Sequence, residues 1–334
     1  MIKLEDDHKN AFQGYKFIDL FCGIGGFHLA LSSFGAKCVF ASDIDNEARK
    51  VYRSNFEIEP AGDIKNIEVN EIPAHDILCA GFPCQPFSIS GDQAGFKDDN
   101  SGRLFFEIIR IANHHKPKMI ILENVANLKF HDDGKTLKHI LKELQEIKYT
   151  TYEKILCATD YNMPQCRRRL YIVAFRSDLK ISNFNFPKEI PLSRNLSSIL
   201  ESTNNATKSR VISRDFNLRE DYQNIETSCK KPYIRIGEIG LGRQGERIYS
   251  TKGCAATLSS SSGGLGGRTG IYLIDGKIRK LTSLECARLM GFPDDFKVAE
   301  TYNQIYLQFG NSVVVDVLQY ISIEIINAIR GGKL

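Results

Sequence analysis

A chain of 334 residues that is 42% hydrophobic and 25% charged carries enough apolar material for one sizeable domain and a smaller companion, which excludes a disordered protein. It has no continuous run of about 18 apolar residues, and its first ten residues, MIKLEDDHKN, are too charged to open a secretory signal; the expected location is the cytoplasm, with no membrane partner. Nine cysteines without a CxxC pair fit neither a disulfide framework nor paired zinc ligands, so no metal is expected.

Phe17 to Phe21 reads as a buried strand, and Gly23-Ile24-Gly25-Gly26 turns it into a helix with Phe27, Ala30, Leu31 and Phe34 on one face, closed by Gly35. A second strand, Cys38 to Ala41, ends at Asp43. Strand, glycine turn, helix, strand and acid follow one another as in a nucleotide-binding βαβ unit, where the acid meets a ribose hydroxyl. On its own the turn is equally compatible with a structural role. The dinucleotide fingerprint requires a third glycine where this chain has His28, which counts against NAD. S-adenosylmethionine has a ribose and an adenine but no pyrophosphate and suits a GxGG turn better.

A strand from Asp76 to Ala80 leads into GFPCQPFSISG, where Cys84 stands between two prolines. Proline fixes its own φ and biases the preceding residue toward extended geometry, so the backbone at Cys84 is stiff while the Ser/Gly-rich sequence after it is loose. A rigid thiol before a loose loop suggests a nucleophile beneath a lid. Leu104 to Ala112 is helix-like, and a strand from Met119 to Leu122 leads into Glu123-Asn124-Val125. In an open parallel sheet, ligands collect beyond the carboxyl ends of strands, and Gly23, Asp43, Cys84 and Glu123 each stand just past one. Gln165-Cys166-Arg167-Arg168-Arg169, in contrast, precedes its strand, Leu170 to Phe175. Those arginines reach the same crevice only if that strand runs antiparallel to the others.

From about Asn183 the sequence turns polar and then glycine-rich, with 11 of the 26 glycines between Gly237 and Gly276. The net charge is +4, yet the segment from Arg243 to Lys280 alone holds seven basic and two acidic residues. A second domain of short strands and long loops is expected there. Thr282-x-x-Glu285 is a capping box opening a helix that Gly291 and Pro293 end, and Val314, Val317, Leu318, Ile321 and Ile325 form one apolar helical face expected to pack on the first domain's sheet. The expected fold is α/β, a Rossmann-like sheet with a smaller, loop-rich and mostly β domain. The expected divisions are 1–192 for cofactor and catalysis, 193–282 for target recognition, and 283–334 for a hinge and returning helix.

Bland readings stand beside each site. Cys84 could be a core thiol, Glu123 a helix cap, the arginines a solvated strand end, and His114-His115 a solvated turn. What favours chemistry is the company: FxGxGG, PCQ at Cys84, ENV at Glu123, QxRxR from Gln165 and Gly310-Asn311-Ser312-Val313, in that order and over essentially the full length. In this ordered set the chain resembles the DNA cytosine-5 methyltransferases, and most of all the compact bacterial enzymes of type II restriction-modification systems.

The resemblance implies that Cys84 adds to C6 of a cytosine flipped out of the duplex, so that C5 takes a methyl group from S-adenosyl-L-methionine. It implies that Glu123, with a carboxyl pKa raised by an enclosed pocket, meets the charge at N3, while Arg167 and Arg169 stabilise O2 and orient Glu123. The cofactor site it implies comprises Phe21, Gly23, Ile24 and Gly25, Asp43 on the ribose, Ile44 beside it, Asp63 at the adenine amine, and Gly81, Pro83, Leu104, Asn311 and Ser312. Ile44 is a departure, since relatives can carry an aromatic there. Ser88, Ser90 and Gln93 in the lid, with Gln244 and Arg247 in the basic segment, are the implied DNA contacts, and QGERIYST resembles enzymes that read a short palindrome such as GCGC. The implied partner is double-stranded DNA, with the protein acting as a monomer and in functional pairing with a restriction endonuclease.

Competing functions account for less. A Rossmann oxidoreductase gives PCQ, ENV and QxRxR no shared role. A zinc cytosine deaminase requires PCxxC where position 87 is Phe. A noncatalytic DNA-binding module leaves every filled catalytic position unexplained, and a tRNA-methylating relative is disfavoured only by the basic recognition segment.

Overall fold

The computed structural model describes residues 2, 4–83, 102–224, 233–260 and 265–331, without the side chains of 102, 103 and 244. The chain divides into two compact units. One, the parallel-sheet unit, comprises residues 2–156, 168–187 and 318–334; the other, the loop-rich unit, comprises residues 1, 157–167 and 188–317.

The parallel-sheet unit begins with β1 (Lys16–Leu20), whose last four residues are buried, and α1 (Gly26–Ser32). Gly25 has φ +89°, and a Cβ there would stand 2.1 Å from the Phe56 ring, so only glycine permits the turn. β2 (Lys37–Ser42) is followed by α2 (Asn46–Phe56), whose first turn is capped by Asp45 accepting from the N–H groups of Glu47 and Ala48. β3 (Ile77–Gly81), α3 (Gly102–His115), β4 (Met119–Val125), α4 (Lys135–Glu146), β5 (Tyr149–Cys157) and β6 (Arg168–Arg176) follow.

These strands form a six-stranded sheet in the order β2-β1-β3-β4-β6-β5. β1 pairs parallel with β2 and β3, and β3 parallel with β4. β6 runs antiparallel to β4, with Glu123 opposite Tyr171 and Val125 opposite Arg169. Apart from Asp19 on β1 and the Glu123-Asn124 end of β4, the buried residues of the central strands β1, β3 and β4 are apolar, as expected of a sheet covered on both faces. Ile18, Leu78, Ile120 and Ile172 share one core with Phe105, Ile108 and Ile111 of α3 and Leu137, Ile140 and Leu144 of α4.

In the loop-rich unit, α5 (Asn205–Lys208) precedes β7 (Asn217–Leu218), β8 (Arg235–Glu238), β9 (Arg247–Ser250), β10 (Ile271–Ile274) and β11 (Lys277–Arg279). They form a five-stranded sheet in the order β11-β10-β9-β8-β7, antiparallel except for the β9–β10 pair. Its core is an isoleucine cluster: Ile234, Ile236, Ile239, Ile248, Ile271 and Ile278. α6 (Ser283–Leu289) opens on the capping box of Thr282 and Glu285. α7 (Tyr302–Asn311) is followed by α8 (Val315–Gly331), which passes into the parallel-sheet unit at Leu318. There Gln319 donates to Ser33 Oγ at 2.9 Å and accepts from Ile2 N at 3.0 Å, joining the helix to the end of α1. The stretch 302–331 is apolar and long enough to span a bilayer by composition alone, but it is mostly buried in the protein.

Candidate active site

The carboxyl ends of β1, β2, β3 and β4 lie side by side because those strands are parallel neighbours. Just past β1, Phe21 and Gly23 adopt left-handed φ values of +54° and +52° and Gly25 one of +89°, which folds the first turn back on itself. Asp43, past β2, fixes that turn: its Oδ2 accepts from Gly23 N at 2.7 Å and its Oδ1 from Asp45 N at 2.8 Å. Burial raises the Asp43 pKa above the ordinary carboxylate range, and the two N–H donors pull it the other way. Asp19, fully buried on β1, is raised well above its usual value by burial first and by the nearby Asp43 second.

Position 28, where the dinucleotide pattern has glycine, is filled productively. The His28 ring stacks on Phe56 at 3.9 Å and its Nδ1 shares a 2.8 Å hydrogen bond with Tyr52 Oη. Burial lowers its pKa to about 4. Beside Asp43, Ile44 is 74% exposed, an apolar side chain with little protein cover. Asp63 accepts from Lys65 N at 3.1 Å, and Leu104 packs at the margin of the main core.

Gly81 pairs with Glu123 across β3 and β4, and a Cβ on it would lie 3.8 Å from Glu123 Oε2. Glu123 is 7% exposed, and its Oε1 lies 3.0 Å from Arg169 Nε. The antiparallel β6 produces this contact, because it places Arg169 opposite Val125, two residues from the carboxylate. Asn124 carries out a task that the sequence reading did not assign. Its Nδ2 donates to Phe82 O at 2.9 Å, so the ENV segment anchors the backbone two residues before Cys84. The sequence marks only its place beside a candidate acid; the acceptor lies past the neighbouring strand β3. Pro83 is exposed. Cys84, Ser88, Ser90 and Gln93 lie outside the described residues, as does the Gln244 side chain.

The two arginines assigned jointly to Glu123 are placed in different surroundings. Arg167 belongs to the loop-rich unit, is 2% exposed, and donates to three carbonyls there: Leu258 O at 2.8 Å, Gly310 O at 2.9 Å and Ser312 O at 2.5 Å. Gln165, fully buried, does the same, donating to Leu289 O at 3.1 Å and accepting from Leu258 N at 3.0 Å. Arg169 belongs to the parallel-sheet unit and is the residue on Glu123. In the loop-rich unit, Ser312 is buried and Asn311 exposed, their backbone tied to Arg167 through Gly310 and Ser312. Arg247 is half-buried at the start of β9.

The residues fit the cofactor expected from the sequence. A Cβ on Gly23 would meet nothing within 4 Å, so the first turn has open space over it, a carboxylate at Asp43 reaches it from the next strand, and Ile44 offers an uncovered apolar surface for a base.

Residues 15–327 match the model of the C-5 cytosine-specific DNA methylase family. The chain is 47% identical over 325 residues to the type II methyltransferase M.HhaI of Haemophilus parahaemolyticus, covering 97% of each chain. It is 41% identical to the type II methyltransferase M.HaeII of Haemophilus aegyptius, over 95% of this chain and 94% of that one. The solved structure of the Entamoeba histolytica methyltransferase EhMeth shares the fold, with a TM-score of 0.70 at 21% identity over 94% of this chain and 98% of that one.

Proposed function

The chain belongs to the C-5 cytosine-specific DNA methylases and is a DNA (cytosine-5-)-methyltransferase, and from that premise we propose that it flips a cytosine out of a short duplex sequence, adds Cys84 to C6 and methylates C5. The observation that carries the reading is the Glu123–Arg169 pair at the end of β4, beside Gly81 at the end of the strand that leads to Cys84.

Cytosine C5 is a poor nucleophile until C6 has been attacked. The Cys84 thiolate forms a bond to C6, and the ring electrons displaced toward N3 and O2 need a partner there. Glu123 supplies a carboxyl at N3. Arg169 holds that carboxyl in place and adds positive charge near O2, in a buried setting where such contacts count for more than in water. S-adenosyl-L-methionine bound on the Phe21–Gly25 turn supplies the electrophilic methyl group. Gly23, Ile24, Gly25, Asp43, Ile44, Asp63, Gly81, Pro83, Leu104, Asn311 and Ser312 form the proposed cofactor site. The C5 proton then leaves to base, and the Cys84–C6 bond breaks by elimination. Arg167 acts as a structural pin in this scheme, supported by its three carbonyl acceptors.

A stacked cytosine hides C6, so the base must leave the helix. Ser88, Ser90 and Gln93 are proposed to contact the backbone or fill the vacated space, while Gln244 and Arg247 read base edges in a GCGC-like palindrome. The enzyme would act as a monomer and protect host DNA from a paired endonuclease.

The test is trapping. Wild type and Cys84→Ser are incubated with S-adenosylmethionine and mixed-sequence duplexes carrying 5-fluorocytosine, which has no proton to lose at C5. A denaturation-resistant protein–DNA adduct in the wild type alone is the expected result. A folded wild type that forms no adduct on any duplex would overturn the proposal.

A further inference from the structure

Away from this site, two half-buried thiols meet where β5 ends. Cys157 is the last residue of β5 and Cys166 lies just before Arg167. The intervening turn is closed by Ala158 N donating to Arg167 O at 3.0 Å, which brings the two cysteines side by side. Thr159 Oγ1 donates to Cys157 Sγ at 3.0 Å, and the neighbouring Cys166 thiol favours the Cys157 thiolate. Turn and donors together make this the opposite of a core thiol. Buried Cys22, Cys79 and Cys286 are pushed well above the ordinary thiol range, whereas the neighbouring Cys166 thiol, helped by Thr159, holds Cys157 down at about 6 against burial and the charge of Asp160.

We propose that Cys157 and Cys166 form a dithiol site that reduces small-molecule disulfides and is left as an internal Cys157–Cys166 disulfide. The Cys157 thiolate attacks one sulfur of RS–SR, forming a mixed disulfide and releasing RS⁻. Cys166 loses its proton to solvent and attacks the Cys157 sulfur, forming the internal bond and expelling the second RS⁻. The two protein thiols are oxidised by two electrons, and the external disulfide is reduced by the same two. Neither cysteine takes part in the proposed methyl transfer, so the site stands or falls independently of it.

The turn contains no Lys or Arg between Lys154 and Arg167, so trypsin releases both cysteines in the single peptide 155–167, apart from Cys84. Full-length protein is exposed to oxidised glutathione, quenched in acid and digested. That peptide is expected to lose two hydrogens, to regain them with dithiothreitol, and at pH 6 to react about tenfold faster in the folded protein than in the urea-unfolded one, after allowing for the weaker nucleophilicity of a low-pKa thiolate. Cys166→Ser should stop at a glutathione adduct on Cys157, and Thr159→Val should move the rate midpoint up in pH. A reaction no faster in the folded protein, or a wild type in which the glutathione adduct persists, would overturn the proposal.

Discussion

In the parallel-sheet unit, β1, β3, β4 and β6 bury apolar runs in one core shared with α3 and α4, whereas the loop-rich unit has a small isoleucine cluster and fixes its loops with buried polar side chains. Gln165 and Arg167 bind carbonyls, and Arg279 makes a two-pronged pair with Glu285 in which both contacts are 2.7 Å. The remaining capacity of Glu285 is filled by Thr282 N at 2.8 Å and Glu201 N at 3.0 Å. A sheet stabilised by apolar burial can leave charged groups at its strand ends for chemistry. A domain of short strands and long loops must commit its charges to its own backbone, because loop carbonyls have few ladder partners.

The largest effect is expected where that commitment is broken. Arg279→Met leaves Glu285 buried and charged without its partner and should destabilise the loop-rich unit by about 3–5 kcal/mol, measured by denaturant unfolding. Arg167→Met strips the donor from three carbonyls and should cost on the order of 3 kcal/mol in the same assay. Arg169→Met should differ in kind: Glu123, at a strand end, can take up a proton when its partner is lost, so the unfolding midpoint should fall less than in Arg279→Met, while methyl transfer drops by roughly 10²–10³. Loss of fold in Arg169→Met, with Arg167→Met stable and inactive, would reverse the comparison.

A smaller effect tests the core beneath the first turn. His28 and His75 both have pKa values lowered by burial to about 4, so the fold favours their neutral forms. Stability from each is fully present above the ordinary histidine value and is lost as pH falls from about 6.5 toward 4. His28→Gln should remove part of that acid loss, on the order of 2 kcal/mol, leaving the share of His75; thermal melts across this range would show it. The smallest effect concerns Ile44. Ile44→Trp gives an adenine ring an aromatic surface and should tighten S-adenosylmethionine binding a few-fold by calorimetry.

Much of this was legible in the sequence, and the reasons are physical. Apolar runs marked β1 to β4, and the requirement that arginines preceding a strand reach the crevice anticipated the antiparallel β6. The capping box at Thr282 and Glu285 formed as expected. The division between Arg167 and Arg169 was not legible, because residues two apart on an extended chain share a face and only their tertiary partners distinguish them. Nor was the role of His28, whose stacking partner Phe56 lies 28 positions away. The helix α4 escaped notice because its start follows Asp132 and Asp133, both in left-handed conformations that no local signal announces. The pin from Asn124 to Phe82 O needs β3 and β4 to be neighbours before it can be seen.

The claim at the centre of this account is that Glu123 and Arg169 act as one unit on the flipped base. Methyl-transfer rates of Glu123→Gln, Arg169→Met and the double variant, each shown to be folded, test it most directly. If the pair is a unit, the double variant is no slower than the slower single variant. Losses that multiply would mean that the two residues act separately, and the account would be wrong.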